Sequence, residues 1–104
     1  MFGQGVSQVI ASFGDSATEA VYHGGPIRLV RRFPPDAVRV AVRKLDMLNA
    51  ARALRDLQSP PGNRLEALRG ALAGLHCIRV NDQWRIVLRW TGADAHEVRL
   101  TDYQ

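Results

Sequence analysis

The run WRIVLRW, Trp84 to Trp90, alternates apolar and charged residues more cleanly than any other stretch of the chain. Side chains on a strand alternate between faces with a period of two, so this run demands a sheet with one buried face. Trp84, Ile86, Leu88 and Trp90 then point one way, and Arg85, Val87 and Arg89 the other. The compact polar turn NDQ joins this strand to HCIRV before it, and the loop TGADA leads on to HEVRLTDY. With the short run RLEAL, the second half reads as a meander of strands. If Val98 and Leu100 lie on the core face, Glu97, Arg99, Thr101 and Tyr103 share the opposite one. With Ile78 and Val80 inward, Arg79 joins Arg85, Arg89, Arg99 and Tyr103 there. Such a face is either a solvated surface of alternating charge or an arginine-lined binding surface with an aromatic at its edge.

The first half carries different patterns. VIASF, Val9 to Phe13, reads as a strand, and SATEAVY as a short helix capped by Asp15 or Ser16, with Ser16 and Glu19 at capping-box spacing. HGGPIRLVRRFPP breaks that helix, holds Arg28, Arg31 and Arg32, and reads as a mobile loop. From Asp36, the residues Val38, Ala41, Val42, Leu45 and Leu48 recur at threes and fours, as one helical stripe does. Asn49 is suited to capping a second helix in AARALRDL before SPPGN ends it, giving two helices or one bent one. Residues 1–8 are small and polar without a period, and read as an extension, native or added in cloning, before a single domain at 9–104.

Composition narrows the functional classes. A chain of 104 residues supports one modest core. No apolar run approaches the ~18 residues of a membrane span and no secretory leader is evident, so a soluble cytoplasmic protein with no membrane contact is expected. A lone Cys77 cannot form an internal disulfide, and its apolar setting suits an inert small hydrophobe. One cysteine with His23, His76 and His96 offers no credible zinc spacing, and none of these histidines is placed to join a site. Neither metal nor cofactor is expected. The formal charge is +4, fourteen basic residues against ten acidic ones, and all the basic residues but Lys44 are arginine. A GC-rich genome accounts equally well for the choice of arginine over lysine, but not for the net excess. A small basic domain attracts phosphate backbones or an acidic partner, and arginine adds forked contacts to phosphate oxygens. Pattern and composition reach a small basic α/β domain able to bind RNA, and stop there.

Motifs carry the reading further. SPPGNRLEALRG, then LHCIRVNDQWRI, then the terminal DYQ resemble the HigB-like toxins of the RelE/ParE superfamily, most closely the GraT-type members, over about Val9 to Gln104. The resemblance implies an α+β, microbial-RNase-like (RelE-like) fold: two to three helices on a curved, mainly antiparallel sheet of four to five strands. It further implies a type II toxin that enters the ribosomal A site and cuts mRNA. A HigA-like helix-turn-helix antitoxin encoded beside it would hold it inactive, and operator DNA would be met only through that antitoxin.

RNA cleavage needs a base for the ribose 2′-hydroxyl, cationic donors for the phosphate and an acid for the leaving oxygen. The wider family often presents His and Lys in the segment that here holds Glu66 and Arg69. Glu66, also Glu in GraT-type members, is either the base or an ordinary surface carboxylate. Arg69 and Arg85 are the candidates for phosphate contact in the cleavage step, with Arg79, Arg89 and Arg99 holding RNA around them. Trp84 beside them reads as core rather than as a base-stacking platform. Asp102 and Tyr103 match the family's Asp-Tyr-His terminus, and Gln104 stands in place of His. An amide can hydrogen-bond but cannot carry a proton near neutral pH. Three explanations stand for Gln104: a change made so that a poisonous protein could be produced, a natural member of weakened activity, or a family His whose role is positional. RGALAG also lacks the Gly-Asp-Arg charges of many GraT-type relatives. Two functions therefore stay open, an mRNA endonuclease of reduced strength, or a non-catalytic or ParE-type binding module acting through its antitoxin or another target. The antitoxin is expected on the basic region from Arg28 to Arg55 rather than on the sheet face.

Overall fold

The computed structural model describes residues 9–102. Its helices are α1 (Ser16–His23), the single turn α2 (Ile27–Val30) and α3 (Pro35–Asn49); its strands are β1 (Glu66–Ala67), β2 (His76–Arg79), β3 (Trp84–Thr91) and β4 (Asp94–Asp102). The strands form one sheet in the order β1-β2-β3-β4, every pair antiparallel, with the helices packed on one face. This is the α+β architecture that the motifs imply, with three helices and four strands. The extension at 1–8, Tyr103 and Gln104 lie outside the described residues.

Helix boundaries follow local chemistry. The Asp15 carboxylate accepts a hydrogen bond from the Thr18 amide at 2.7 Å, which makes Asp15 the cap and leaves Ser16 inside the first turn, so the Ser16–Glu19 box is not used. Gly24 ends α1 in the left-handed region, φ 70°, where a β-carbon is disfavoured. Pro35 begins α3, where a missing amide proton is harmless. The segment expected to be a loop instead contains α2, because Pro26 presets the first turn and its carbonyl accepts from the Leu29 and Val30 amides.

The core lies between α3 and the sheet. Ala37, Ala41, Leu45 and Leu48 are fully buried on α3 and face a sheet layer of Ile78, Ile86, Leu88 and Val98. Small alanines at two of the four positions let the helix axis approach the sheet. Val38 and Val42, expected on the stripe, are half-buried at its margin, and Ala37 takes the central place. Trp84 and Trp90 flank Ile86 and Leu88 as the alternation requires, and Phe33 meets Trp84 edge-on with ring centroids 5.3 Å apart.

Two expectations are corrected. No second α-helix follows Asn49: AARALRDL forms only a 3-10 segment, Leu54–Gln58, with Asp56 accepting from the Arg52 and Ala53 amides. Asn49 is instead the last residue of α3, and its side-chain oxygen accepts from the amides of both Val9 and Ile10 at 3.0 Å. Val9 to Phe13 is extended but forms only isolated parallel bridges, Ile10 to Ala95 and Phe13 to Val98, along the outer edge of β4.

That edge is closed amide by amide. Ala95 donates to Val9 O, Glu97 to Ser12 Oγ, Val98 to Ser12 O and Leu100 to Thr18 Oγ1. Two successive amides, Glu97 and Val98, point outward because β4 carries a bulge, with the register slipping between Val87 and Arg89 and Glu97 at φ 55°. The bulge keeps Ala95, Val98 and Leu100 all on the buried side.

Replacing Thr18 by valine keeps the shape and leaves the buried Leu100 amide without an acceptor. Equilibrium urea unfolding should show a loss of about 1–3 kcal/mol. A matched substitution at exposed Ser16 should cost less than half of that.

Candidate functional site

The sheet face away from the helices carries the chemistry. Directly paired residues share a face, so the register defines cross-strand rows. One row runs Glu66, Cys77, Val87, Arg99, and the next runs Arg79, Arg85, Thr101. The structure therefore brings Glu66, Arg79, Arg85 and Arg99 onto one face, with buried Cys77 and Val87 as its floor. Arg89, paired with His96, lies farther along β3 and makes a long 3.4 Å ion pair to Glu97. Arg99 is drawn to the outer edge over Gly14, where a β-carbon would stand 2.8 Å from its Nε.

Arg79 and Arg85 are opposite one another, an arrangement that costs stability unless negative charge approaches. Arg79 pairs with the exposed Asp82 of the turn. Arg85 donates to Asn81 O at 2.6 Å, so its guanidinium is aimed back along the hairpin. The turn is rigid for a local reason: Asn81 Oδ1 accepts from the Gln83 and Trp84 amides at 2.9 and 2.8 Å.

Cys77 reports on its surroundings. Burial, with the Glu66 carboxylate adding to it, pushes the thiol up from its ordinary range, while the Arg85 guanidinium pulls it down. Glu66 and Arg85 therefore both act on one point of the face. On the other side of α3, Lys44 is held below the ordinary lysine range by burial and then by Arg43 and Arg79, so positive charge extends around the β2 side. Lys44 Nζ donates to Asn63 Oδ1 at 2.6 Å, and Asn63, fully buried, donates onward to Leu57 O and Ser59 O. This network fixes the SPPGN segment immediately before β1.

The other candidates fall elsewhere. Arg69 is exposed in the connection between β1 and β2, before a 3-10 turn at Gly70–Leu72. Asp102 pairs with Trp84 and so lies on the Trp84 side of the sheet, where its Oδ2 accepts from Gln83 Nε2 at 3.0 Å. The terminal segment and the NDQ turn thus meet, but Asp102 does not share the face of Arg85. His23 stacks edge-on with Phe13 and Tyr22 near the end of α1, and His76 is half-buried with no partner for its Nδ1 among the described residues. Among the described residues no group of three or more His, Cys, Asp or Glu could hold a metal ion, and no helix is long and apolar enough to cross a membrane. Cys77 and Lys44 were missed as parts of this surroundings. The alternation around Ile78 turns Cys77 away from the helices, whereas nothing local marks Lys44.

Residues 11–103 of this small α+β domain match the model of HigB-like toxins, described as the RelE-like toxin of type II toxin-antitoxin system HigB. The chain belongs to this HigB-like family. It is 47% identical over 60 residues to Toxin HigB-1 of Vibrio cholerae, covering 58% of this chain and 63% of that protein, which is less than two thirds of its length. It is 33% identical over 69 residues to an uncharacterized protein of Haemophilus influenzae, covering 66% of this chain and 68% of the relative.

The raised thiol sets an expectation for labelling. A Cys77 pushed above its usual range and closed from solvent is almost entirely thiol at pH 7. Iodoacetamide should leave it unmodified in the folded protein over hours and alkylate it within minutes in 8 M urea, roughly the strength that unfolds small domains; rapid labelling of the folded form would contradict the assignment of Cys77 as floor.

Proposed function

We propose that this chain is the toxin of a type II toxin-antitoxin system and acts in the cytoplasm as a ribosome-dependent mRNA endoribonuclease. The observation that carries the reading is the opposed pair Arg79 and Arg85, on the face that also holds Glu66. Two always-charged guanidinium groups side by side suit a phosphate whose charge grows in the transition state. Glu66 is the candidate base for the ribose hydroxyl. Arg89 and Arg99 extend the positive face along the RNA, and Arg69, exposed in the β1–β2 connection, adds a further cation for the phosphate in this reading. The family match supports a toxin; the substrate, the ribosome and a HigA-like helix-turn-helix antitoxin rest on the resemblance. The Glu at position 66 agrees with the GraT-type branch.

The remaining group would come from Tyr103 or Gln104 in this reading, with Asp102 on the Trp84 side tying the strand to Gln83. Gln104 has no titratable proton, so the acid step would fall to solvent or to Tyr103, with a lower rate. The same residue favours a second reading, in which the fold binds its antitoxin or another target and cuts nothing.

The test is mRNA-end mapping in a translating extract. Cuts should appear in translated mRNA and disappear when initiation is blocked. Arg85→Ala should lower the rate by ~10²-fold or more, the usual loss when a charge-stabilising donor is removed. Glu66→Gln should lower it by ~10²-fold as well, the contribution typical of a general base. Gln104→His should raise it above the parent. If neither the parent nor Gln104→His produces ribosome-dependent cuts, the nuclease reading fails; inhibited DNA supercoiling would then indicate a ParE-type target.

A further inference from the structure

The helical side holds a groove that the sheet-face chemistry does not use. It lies between α2 and α3, has a volume of about 300 Å³, and is lined by Ile27, Val30, Phe33, Pro35 and Val38 with Arg31 at its lip. Ile27 is 64% exposed, a position where an aliphatic side chain gains nothing from this chain alone. From residue 27 to residue 43 the sequence places five arginines, at 28, 31, 32, 39 and 43, against a single acid, Asp36. All five are exposed, and among the described residues none of them has an ion-pair partner.

An apolar trough with Arg31 at its lip, in a stretch whose five exposed arginines face a single acid, selects its occupant. A nucleic acid would satisfy the arginines and leave the trough filled with water, whereas an amphipathic protein segment fills both needs. Apolar side chains at helical spacing enter the trough, and carboxylates flanking them meet the arginines. The floor adds a connection: Phe33 abuts Trp84, the residue paired with Asp102 and preceding Arg85. The groove nevertheless lies on the helical side, away from the face of Arg79 and Arg85.

We propose that this groove is the docking site for an acidic amphipathic segment of the antitoxin, which therefore binds without covering the sheet face. The proposal rests on the toxin-antitoxin reading above. It predicts a ternary state in which the antitoxin and a short RNA occupy one toxin molecule together.

The experiment uses the full chain and its separately purified antitoxin in isothermal titration calorimetry, with thermal melts confirming that each variant is folded. Ile27→Glu and Arg31→Glu should each weaken the antitoxin by about tenfold or more, as loss of a central anchor or reversal of a flanking charge does. Arg89→Ala, on the other face, should leave its affinity unchanged. Ile27→Glu should also cut mRNA as the parent does while resisting neutralisation. If the parent binds antitoxin and both groove variants bind it equally well, the groove assignment is overturned and the toxin-antitoxin reading survives. If the parent binds no antitoxin, both fail. Weakened RNA association in the groove variants with unchanged antitoxin affinity would overturn the proposal in favour of nucleic acid.

Discussion

The closure of the outer edge of β4 is the constraint on which the rest depends. An open strand edge presents unpaired amides and carbonyls that would recruit another chain. Here the segment Val9 to Gly14 runs along that edge without forming a full strand, and Ser12 serves two adjacent amides at once, one through its hydroxyl and one through its carbonyl. Where the segment turns away into α1, Thr18 takes over and accepts from Leu100. Asn49 anchors the start of the same segment from the end of α3. One short stretch thereby ties helix to sheet at both ends.

The two sides of the sheet then divide the work. The helical side spends its hydrophobic residues on a compact core, with Ala37 and Ala41 allowing α3 to lie close. Among the described residues no helix packs on the other side, yet Cys77 and Val87 are buried there, in the row that Glu66 and Arg99 complete. Placing Arg79 against Arg85 is a local disadvantage within the folded chain. Within the folded chain Asp82 pairs with Arg79 and the Asn81 carbonyl accepts from Arg85, which offsets part of that cost.

Much of this was legible in the sequence, and the failures share a cause. The period of WRIVLRW gave the sheet, its buried face and the arginine side, because a strand's alternation is a local property that burial on one face preserves. The order of strands and the NDQ turn were readable for the same reason. Asn49 was misread as a cap because a side-chain amide suits both a helix start and a long-range bond, and residues 9 and 10 are far from it in sequence. Asp15 and Ser16 can both cap α1, and only the 2.7 Å bond from the Thr18 amide to Asp15 separates them. Of the candidate site, Arg79 and Arg85 share a face as strand parity implies, Glu66 joins them only through its pairing with Cys77, and Asp102 falls on the side of Trp84.

The bulge at Glu97 has a consequence beyond its two outward amides. Strand side chains keep count by odd and even, and one additional residue reverses the count for everything downstream. Without it, the buried positions 95, 98 and 100 could not all be served by one strand. The same reversal decides that Arg99 and Thr101 present to the open face and that Asp102 faces Trp84. The sidedness of the end of β4 is thus a phase set several residues earlier. Deleting Glu97 would restore plain alternation from Ala95 to Leu100, so the strand would keep both faces and lose only the pair of successive outward amides.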